Sequence, residues 1–256
     1  AGHQFNDGRQ EQSILLIGPP QINMFLDPQS DSGNAHDDNL TNVSAPKVFV
    51  TVSASGYIDI DWDGDGEWDR TYSEGDAGMY GIQLPELEDG YREIRARLRP
   101  EVGGWAETSM PLTIDTMGPR VTAIIPAGYR QAPVGYLDII TSEQLDPEVP
   151  PSEFAILHTP YGPYSIADYD DVSHLYSGRQ FVYRLYFPDQ HVIGTYTMEV
   201  LPARVNAWGE FVGLAQDLAG NLLNQNGNAI NGELPEDIFE GEFYIPEPPD
   251  FDAESI

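Results

Sequence analysis

The sequence predicts an all-β protein built as two β-sandwiches in tandem. Short runs of alternating apolar and polar residues recur along the chain, and long helical periodicity is missing. The 25 Gly and 21 Pro are spread throughout and separate these runs. Short strands with turn residues roughly every 8–12 positions are typical of antiparallel sandwiches. A length of 256 residues suits two domains of ordinary size better than one.

The strands themselves are indicated by period-two alternation. Residues 57–62 place apolar side chains on one face and acidic side chains on the other, and residues 48–52, 92–98 and 182–187 alternate in a similar way. Alternation of this kind is typical of a strand whose one face is buried. Each segment is therefore predicted to contribute one strand to a sandwich.

The domain boundary is predicted from a turn near the middle of the chain. A strand that ends near Thr116 runs into Gly118-Pro119, and the next strand opens at Val121. A linker this short that contains Pro is stiff. The predicted segments are an N-terminal tail or last strand of a preceding module (1–19), a first domain with an acidic hairpin (20–117), a second domain (118–246) and an acidic tail (247–256).

The charge of the chain argues against several classes of partner. Lys and Arg total 12 against 42 Asp and Glu, which gives a formal net charge of −30. Such a chain repels phosphate backbones and anionic lipids, so we expect no nucleic-acid partner and no direct membrane insertion. The chain also repels itself, and bound divalent cations would offset that repulsion. Cysteine is absent, so disulfides do not stabilise the fold.

An acidic loop at residues 59–69 gives the strongest chemical signal, with six acids in eleven residues. Asp61, Asp63 and Asp65 stand at the first, third and fifth positions of a calcium-loop pattern. Glu67 stands at the seventh position, where a backbone carbonyl binds, and Asp69 at the ninth. The bidentate Glu of an EF-hand is absent, so the pattern resembles the calcium loops of extracellular β-hairpins. A solvated acidic hairpin tip is the alternative interpretation.

Three segments of the first domain resemble a known family. Residues 26–33 (Leu-Asp-Pro-Gln-Ser-Asp-Ser-Gly) and 38–43 (Asp-Asn-Leu-Thr-Asn-Val) resemble the opening of bacterial Ig-like repeats in large biofilm adhesins. The run at 115–119 (Asp-Thr-Met-Gly-Pro) resembles their ending. The resemblance implies an immunoglobulin-like sandwich that binds calcium near the domain ends; polar turns capped by Asp and Asn are the alternative. The ligands it implies are Asp31, Asp37, Asp38, Asn39, Asn42 and Asp115.

The second domain resembles another bacterial Ig-like family found in giant secreted proteins. The motifs that carry this resemblance are Ile-Ile-Pro-Ala-Gly at 124–128, Thr-Ser-Glu-Gln-Leu-Asp at 141–146, Gly-Thr-Tyr-Thr at 194–197, Asp-Leu-Ala-Gly-Asn at 217–221 and the Asn-rich run at 224–233. The two resemblances together imply tandem immunoglobulin-like β-sandwiches in a secreted or cell-surface bacterial protein.

The Asn-rich run is the third candidate metal site. Asn224, Asn226 and Asn228 repeat the spacing of the calcium template with Asn in place of Asp, and Glu233 follows. Neutral carbonyl ligands weaken such a site, although Asp217 could supply a missing charge. A hydrogen-bonded Asx turn is the alternative interpretation.

Catalysis is not indicated. The five His residues are scattered, and the chain has neither a Gly-x-Ser-x-Gly elbow nor a cysteine nucleophile. We therefore predict a non-enzyme, a calcium-stabilised structural or spacer module of an extracellular bacterial surface layer, fibre or adhesin. Its expected partners are neighbouring Ig-like modules or copies of itself. The alternative is a carbohydrate- or protein-binding module, for which Tyr161, Tyr164, Tyr169, Tyr176 and Tyr183 are the candidate sugar-stacking platform.

Overall fold

The computed structural model describes residues 18–164, 166, 168–171, 181–205 and 211–248. Most of the predicted N-terminal segment (1–19) lies outside the described residues, as does most of the predicted acidic tail (247–256). The described part of the chain contains strands and one short 3₁₀ helix, Pro151–Glu153. No helix there is long and apolar enough to cross a membrane.

The first sandwich consists of eight of the described strands. Their bounds are β1 Ile22–Leu26, β2 Leu40–Thr41, β3 Lys47–Val52, β4 Gly56–Asp61, β5 Arg70–Gly75, β6 Gly78–Gln83, β7 Gly90–Arg99 and β8 Ala106–Ile114. One sheet has the order β1–β3–β6 and the other the order β2–β8–β7–β4–β5. In the second of these, β4 is antiparallel to both β5 and β7, and β2 is parallel to β8.

The core of the first sandwich follows the predicted alternation. Val48 and Val50 on β3 are fully buried, as are Ile94, Ala96 and Leu98 on β7. These side chains recur at every second position, because successive residues of a strand point to opposite faces. The predicted strands are confirmed at these positions.

The second sandwich uses the remaining described strands. Their bounds are β9 Val121–Ile125, β10 Gly128–Tyr129, β11 Val134–Thr141, β12 Ala155–Thr159, β13 Gly162–Tyr164, β14 Asp168–Asp171, β15 Phe181–Gln190, β16 Gly194–Val200, β17 Ala203–Val205, β18 Phe211–Leu214 and β19 Phe239–Ile245. The two larger sheets have the orders β10–β19–β16–β12–β13 and β14–β15–β11–β9, while β17 and β18 form a hairpin.

A single large apolar core lies in the second sandwich. Leu137 and Ile139 on β11 and Leu185 on β15 are buried within it. The rings of Tyr196 and Phe243, on the other large sheet, stack with centroids 4.7 Å apart. The prediction of an all-β chain with two β-sandwiches is confirmed.

The chain divides into two compact units. The described residues of the first are 18–25, 49–81 and 93–110, and those of the second are 26–48, 82–92 and the described part of 111–248. The acidic loop at 61–69 lies in the first unit. The other acidic and Asn-rich candidates lie in the second unit. The predicted division at residues 117 and 118 stays a prediction.

Candidate metal centres

The acidic loop connects two antiparallel strands of the first sandwich. β4 ends at Asp61 and β5 begins at Arg70, so residues 62–69 form the connection. Gly64 and Gly66 have φ values of 78° and 94°, in the left-handed region that favours glycine. Their N–H groups donate to the two carboxylate oxygens of Asp61, at 2.8 Å and 3.1 Å. Asp61 therefore organises the backbone of the loop.

Three carboxylates converge in this loop. Asp61, Asp63 and Asp65 each place one oxygen so that the three atoms lie within 4.8 Å of one another. Asp61 is fully buried, whereas Asp63 and Asp65 are exposed. Carboxylate oxygens are the ligands that a hard cation such as Ca²⁺ takes. The donor set fits the ion that the sequence predicts.

Asp69 and Glu67 are not members of that group of three. The Asp69 carboxylate accepts a hydrogen bond from the Trp62 N–H at 2.8 Å, across the base of the loop. Burial raises the pKa of Asp69, and repulsion from the three converging carboxylates acts in the same direction. Metal binding by Asp69, and by the backbone carbonyl of Glu67, stays a prediction.

A cluster of charged side chains beside the acidic loop, Asp59 with Arg97 and Arg99, was not predicted from the sequence. Asp59, two residues before Asp61, is 1% exposed although it faces away from the apolar core. Arg99 Nε and Nη2 donate to its two oxygens at 2.6 Å and 2.9 Å, and Arg97 Nε donates at 2.9 Å. Burial alone would raise the pKa of Asp59, but hydrogen bonds from Arg99, Thr71 and Arg97 lower it to about 2.

The sequence feature that could have predicted this cluster is the alternation of acids on one strand and of arginines on another. Asp59 and Asp61 occur at every second position of β4, and Arg95 and Arg97 do so on β7. In the antiparallel register Asp61 lies opposite Arg95 and Asp59 opposite Arg97. Opposite charges directly across two strands stabilise their pairing. The register that joins them is not available from either segment alone.

Asp31 is a buried acid in the segment that the resemblance assigns to calcium. It is 5% exposed, and its Oδ1 has no hydrogen-bond partner. Burial raises the pKa of Asp31, and the charges of Asp38 and Asp37 add to the rise, while His36 and the Asn39 N–H oppose it. A buried carboxylate oxygen without a partner is costly. A bound cation would satisfy it.

The rest of this segment shows the polar turns of the alternative interpretation. Asp37 and Asp38 are exposed, and Asp38 Oδ1 accepts a backbone N–H two residues later at 3.0 Å. Asn39 has a φ of 60°, and the Asn42 N–H donates to Ser32 Oγ at 2.8 Å. Metal binding by the segment stays a prediction.

A second group of three carboxylates forms in the second compact unit. Asp115 follows β8, Glu143 follows β11, and Asp217 follows β18 in an isolated β-bridge to Leu145. One oxygen from each lies within 4.8 Å of the others. Asp217 is 2% exposed, and the other two side chains are half-buried. The prediction placed Asp115 with the segment from Asp31 to Asn42, whereas the structure groups its carboxylate with Glu143 and Asp217.

Asn221 holds Asp217 in this acidic triad, meaning Asp115, Glu143 and Asp217. Its backbone N–H and its Nδ2 each donate to the Asp217 carboxylate at 2.9 Å. The same Nδ2 donates to the backbone carbonyl of Asp115 at 2.8 Å. Asp217 and Asn221 are the first and last residues of the motif at 217–221, which marked the family resemblance. The sequence offered Asp217 as a charge for the Asn-rich run, whereas the structure groups its carboxylate with Asp115 and Glu143.

The acidic triad is electrostatically strained. Burial raises the pKa of Glu143 to about 7, and the charges of Asp115 and Asp217 add to the rise, while Arg120 opposes it. Burial likewise raises the pKa of Asp217 to about 6, in spite of its hydrogen bonds from Asn221. Burial raises the pKa of Asp115 as well. Carboxylates that share a confined space resist simultaneous ionisation, and a divalent cation would remove the conflict.

The Asn-rich run is held by hydrogen bonds among its own residues. Asn224 is fully buried, and its Nδ2 donates to the Asn228 carbonyl at 2.7 Å. The amides of Asn226 and Asn228 donate to the Glu233 carboxylate. The buried Asp237 accepts the N–H groups of Asn226 and Glu233 at 3.1 Å and 2.8 Å. This pattern matches the Asx-turn alternative, and metal binding here stays a prediction.

The tyrosines considered for sugar stacking differ in their environments. Tyr183 is buried in the core of the second sandwich, where its Oη accepts the Leu145 N–H at 2.8 Å. Tyr161 and Tyr164 are 85% and 40% exposed. Tyr176 lies outside the described residues, and the side chain of Tyr169 is not described. Carbohydrate binding stays a prediction.

The fold and the acidic loops together define a β-sandwich protein with carboxylate clusters at its turns. Residues 18–116 match the model of the family described as Bacterial Ig-like domain. Domains of this family usually occur in surface or secreted proteins and are typically non-catalytic. No curated protein matches the chain.

Several solved structures are similar to the chain at low identity. A titin structure (Titin-A168169) is 8% identical with a TM-score of 0.31, and covers 89% of this chain and 97% of that chain. The Dpr2 Ig1-Ig2 complex with DIP-Theta Ig1-Ig3 is 10% identical with a TM-score of 0.33, covering 89% and 64%. The Bacteroides ovatus protein SGBP-B, in complex with a mixed-linkage heptasaccharide, is 12% identical with a TM-score of 0.26, covering 91% and 62%.

Proposed function

We propose that this chain is a non-catalytic, calcium-stabilised structural or spacer module of an extracellular bacterial surface protein, fibre or adhesin. The observation that carries the calcium proposal is the acidic triad. Its carboxylate oxygens lie within 4.8 Å of one another, and burial raises the pKa of Glu143 to about 7. At an extracellular pH near neutrality, such a group either retains a proton or takes a cation. Calcium at millimolar concentration is the cation that such a medium supplies.

Further observations support calcium at the other acidic positions. The loop at 61–69 gathers Asp61, Asp63 and Asp65 around one point. Asp31 presents a buried carboxylate oxygen with no hydrogen-bond partner. A chain of net charge −30 repels itself when folded, and each bound Ca²⁺ removes two negative charges. Calcium would therefore stabilise the folded chain both locally and through its total charge.

A structural role follows from the family and from the chemistry of the chain. Bacterial Ig-like domains usually occur in surface or secreted proteins, and a chain without cysteine has no disulfides to rely on outside the cell. Metal-bound turns would serve the same purpose. The partners we propose are neighbouring Ig-like modules or further copies of this chain.

Thermal unfolding tests the proposal directly. A ligand that binds only the folded form stabilises it by RT ln(1 + [L]/Kd), about 2.7 kcal/mol at a hundredfold excess over Kd. Calcium should therefore raise the melting temperature by about 5–10 °C relative to calcium-free buffer, and Mg²⁺ at equal ionic strength should not. Superimposable melting curves in calcium and in calcium-free buffer would reject the calcium part of the proposal.

Titration calorimetry of two variants locates the sites. Asp63→Asn combined with Asp65→Asn removes two charged ligands from the first unit, and Asp217→Asn removes one from the triad. Each variant should lose one bound calcium relative to the unaltered chain, because charged ligands set calcium affinity. The exposed Glu148→Gln, outside every cluster described above, is the control and should leave the stoichiometry unchanged. Unaltered stoichiometry in both variants would place the calcium elsewhere.

A further inference from the structure

Arg95 is a basic side chain that lies beside the buried carboxylate of the acidic loop. It lies on β7 directly opposite Asp61 in the antiparallel register. One guanidinium nitrogen is 3.6 Å from Asp61 Oδ2, and the other terminal nitrogen is 3.5 Å from Glu107 Oε2. The guanidinium also lies over the Trp68 ring, 5.0 Å from its centroid. Arg95 is thus held by two acids and one aromatic ring.

The position of Arg95 conflicts with calcium at the same carboxylate. Asp61 is one of the three converging carboxylates, and it is the buried one. Its two oxygens each accept one N–H group, from Gly64 and Gly66, which leaves about one acceptor site on each oxygen. A guanidinium beside Oδ2 occupies part of that capacity and places a positive charge next to the cation site. Like charges in such proximity weaken each other's binding.

We propose that Arg95 is a tethered counter-ion that competes with calcium for Asp61 and thereby sets the calcium affinity of the 61–69 loop. The inference rests on the proposed function, because it concerns the same loop. Without calcium, the guanidinium neutralises Asp61 and keeps the loop ordered. With calcium, the guanidinium shifts toward Glu107, which already holds its other nitrogen. This competition lowers the calcium affinity of the loop, so that its occupancy responds to the calcium concentration of the medium.

Glu107 and Trp68 give the displaced guanidinium an alternative place to bind. Glu107 lies at the start of β8 and belongs to the same compact unit. The Trp68 ring lies beside both Arg95 and Arg97, at 5.0 Å and 4.3 Å, so it supports a guanidinium in either arrangement. Arg97 is itself fixed by Asp59 and is not free to replace Arg95 at Asp61.

Calcium titration of Arg95→Gln in the full chain tests the proposal. Gln keeps two of the three methylene groups of Arg and removes the charge. The loop's dissociation constant for CaCl₂ should fall about tenfold, the size expected for removing a unit charge roughly 6 Å from a divalent ion in a water-like dielectric. The matched control is Arg70→Gln. Arg70 also borders the loop, but its guanidinium stacks over Tyr72 at 4.9 Å, so we expect a change of less than about threefold.

Glu107→Gln supplies the opposite perturbation. Without the Glu107 carboxylate, the Arg95 guanidinium should stay beside Asp61, so calcium should bind to the loop about threefold more weakly. In the double variant with Arg95→Gln, the effect of the Glu107 change should shrink toward zero, because Glu107 acts through Arg95. The Arg95 side-chain N–H resonance, assigned by its loss in Arg95→Gln, should move on calcium titration of the unaltered chain.

The outcomes separate this inference from the proposed function. If Arg95→Gln changes affinity no more than Arg70→Gln, or weakens it, the counter-ion role is wrong while calcium binding stands. An additive double variant, or an Arg95 resonance that calcium does not move, also overturns it. If the unaltered chain and Arg95→Gln bind no more calcium than the Asp63→Asn, Asp65→Asn variant, the loop does not bind calcium. The proposed function then fails at this loop, and the inference fails with it.

Discussion

Replacing Glu143 by Gln should alter stability in opposite directions with and without calcium. The pKa of this buried carboxyl group lies near 7 in the folded chain, against an ordinary value of 4.5. A raised folded-state pKa means that stability is fully present below pH 4.5 and is lost as the pH rises to about 7. This rise in the pKa of Glu143 corresponds to about 3 kcal/mol of unfolding free energy lost at high pH. Solvent relaxation around the charged group reduces the expected loss to about 1–3 kcal/mol. The Gln variant does not ionise and avoids this loss.

The stability difference between Glu143→Gln and the unaltered chain should therefore change sign between two buffers at pH 8. In calcium-free buffer Glu143→Gln should be more stable than the unaltered chain by about 1–3 kcal/mol. In saturating calcium it should be less stable by about 1–2 kcal/mol, because the triad has lost a charged ligand and part of its calcium affinity. Urea unfolding followed by circular dichroism measures both differences.

The matched control is Glu148→Gln, which removes an exposed acid from the same region of the chain. It should alter stability by less than about 0.5 kcal/mol, with no reversal between buffers. At pH 4.5 in calcium-free buffer the advantage of Glu143→Gln should disappear, because Glu143 is then protonated in the folded chain. If Glu143→Gln has the same sign in both buffers at pH 8, the electrostatic account of the triad is refuted.

Two further predictions concern contacts outside the carboxylate clusters. In calcium-free buffer, Asp59→Asn should lower the free energy of unfolding measured in urea by about 3 kcal/mol, because it leaves two arginines without their shared carboxylate. Since the pKa of Asp59 is lowered to about 2, this contribution is present above pH 4 and lost toward pH 2, and a loss that is the same at pH 2 and pH 7 would contradict the account. Gly33→Ala should destabilise by more than about 1 kcal/mol, because Gly33 has a φ of 78° and a Cβ there would lie 2.1 Å from the Leu218 carbonyl oxygen. Gly78→Ala, where a Cβ meets no atom within 4 Å, is its control, and equal melting temperatures of the two variants would refute the steric argument.

The sequence predicted those parts of the fold that local patterns determine. Alternation at 48–52 and 92–98 marked strands whose apolar residues are buried in the structure. The repeated Asp and Gly at 61–66 marked a turn in which side-chain and backbone chemistry act within a few residues of each other. Both signals are local, because side-chain period and turn geometry depend on neighbouring residues.

The parts that could not be predicted depend on contacts between distant segments. Glu143 and Asp217 are separated by more than 70 positions and meet Asp115 only in the folded second unit. Asp59 reads as a solvent-facing acid of an amphipathic strand, yet it is buried by arginines from β7. Strand register and loop packing bring such groups together, and neither is encoded in a short segment of sequence.

The most direct measurement of the central claim is an anomalous difference map from crystals of this chain grown in CaCl₂. We predict one peak within the loop among Asp61, Asp63 and Asp65, and another among Asp115, Glu143 and Asp217, each surrounded by oxygen ligands at about 2.3–2.6 Å. Peaks should vanish from crystals of the variants that lack the corresponding carboxylates. A map with no peak at either cluster in saturating calcium would contradict the claim that calcium stabilises this module.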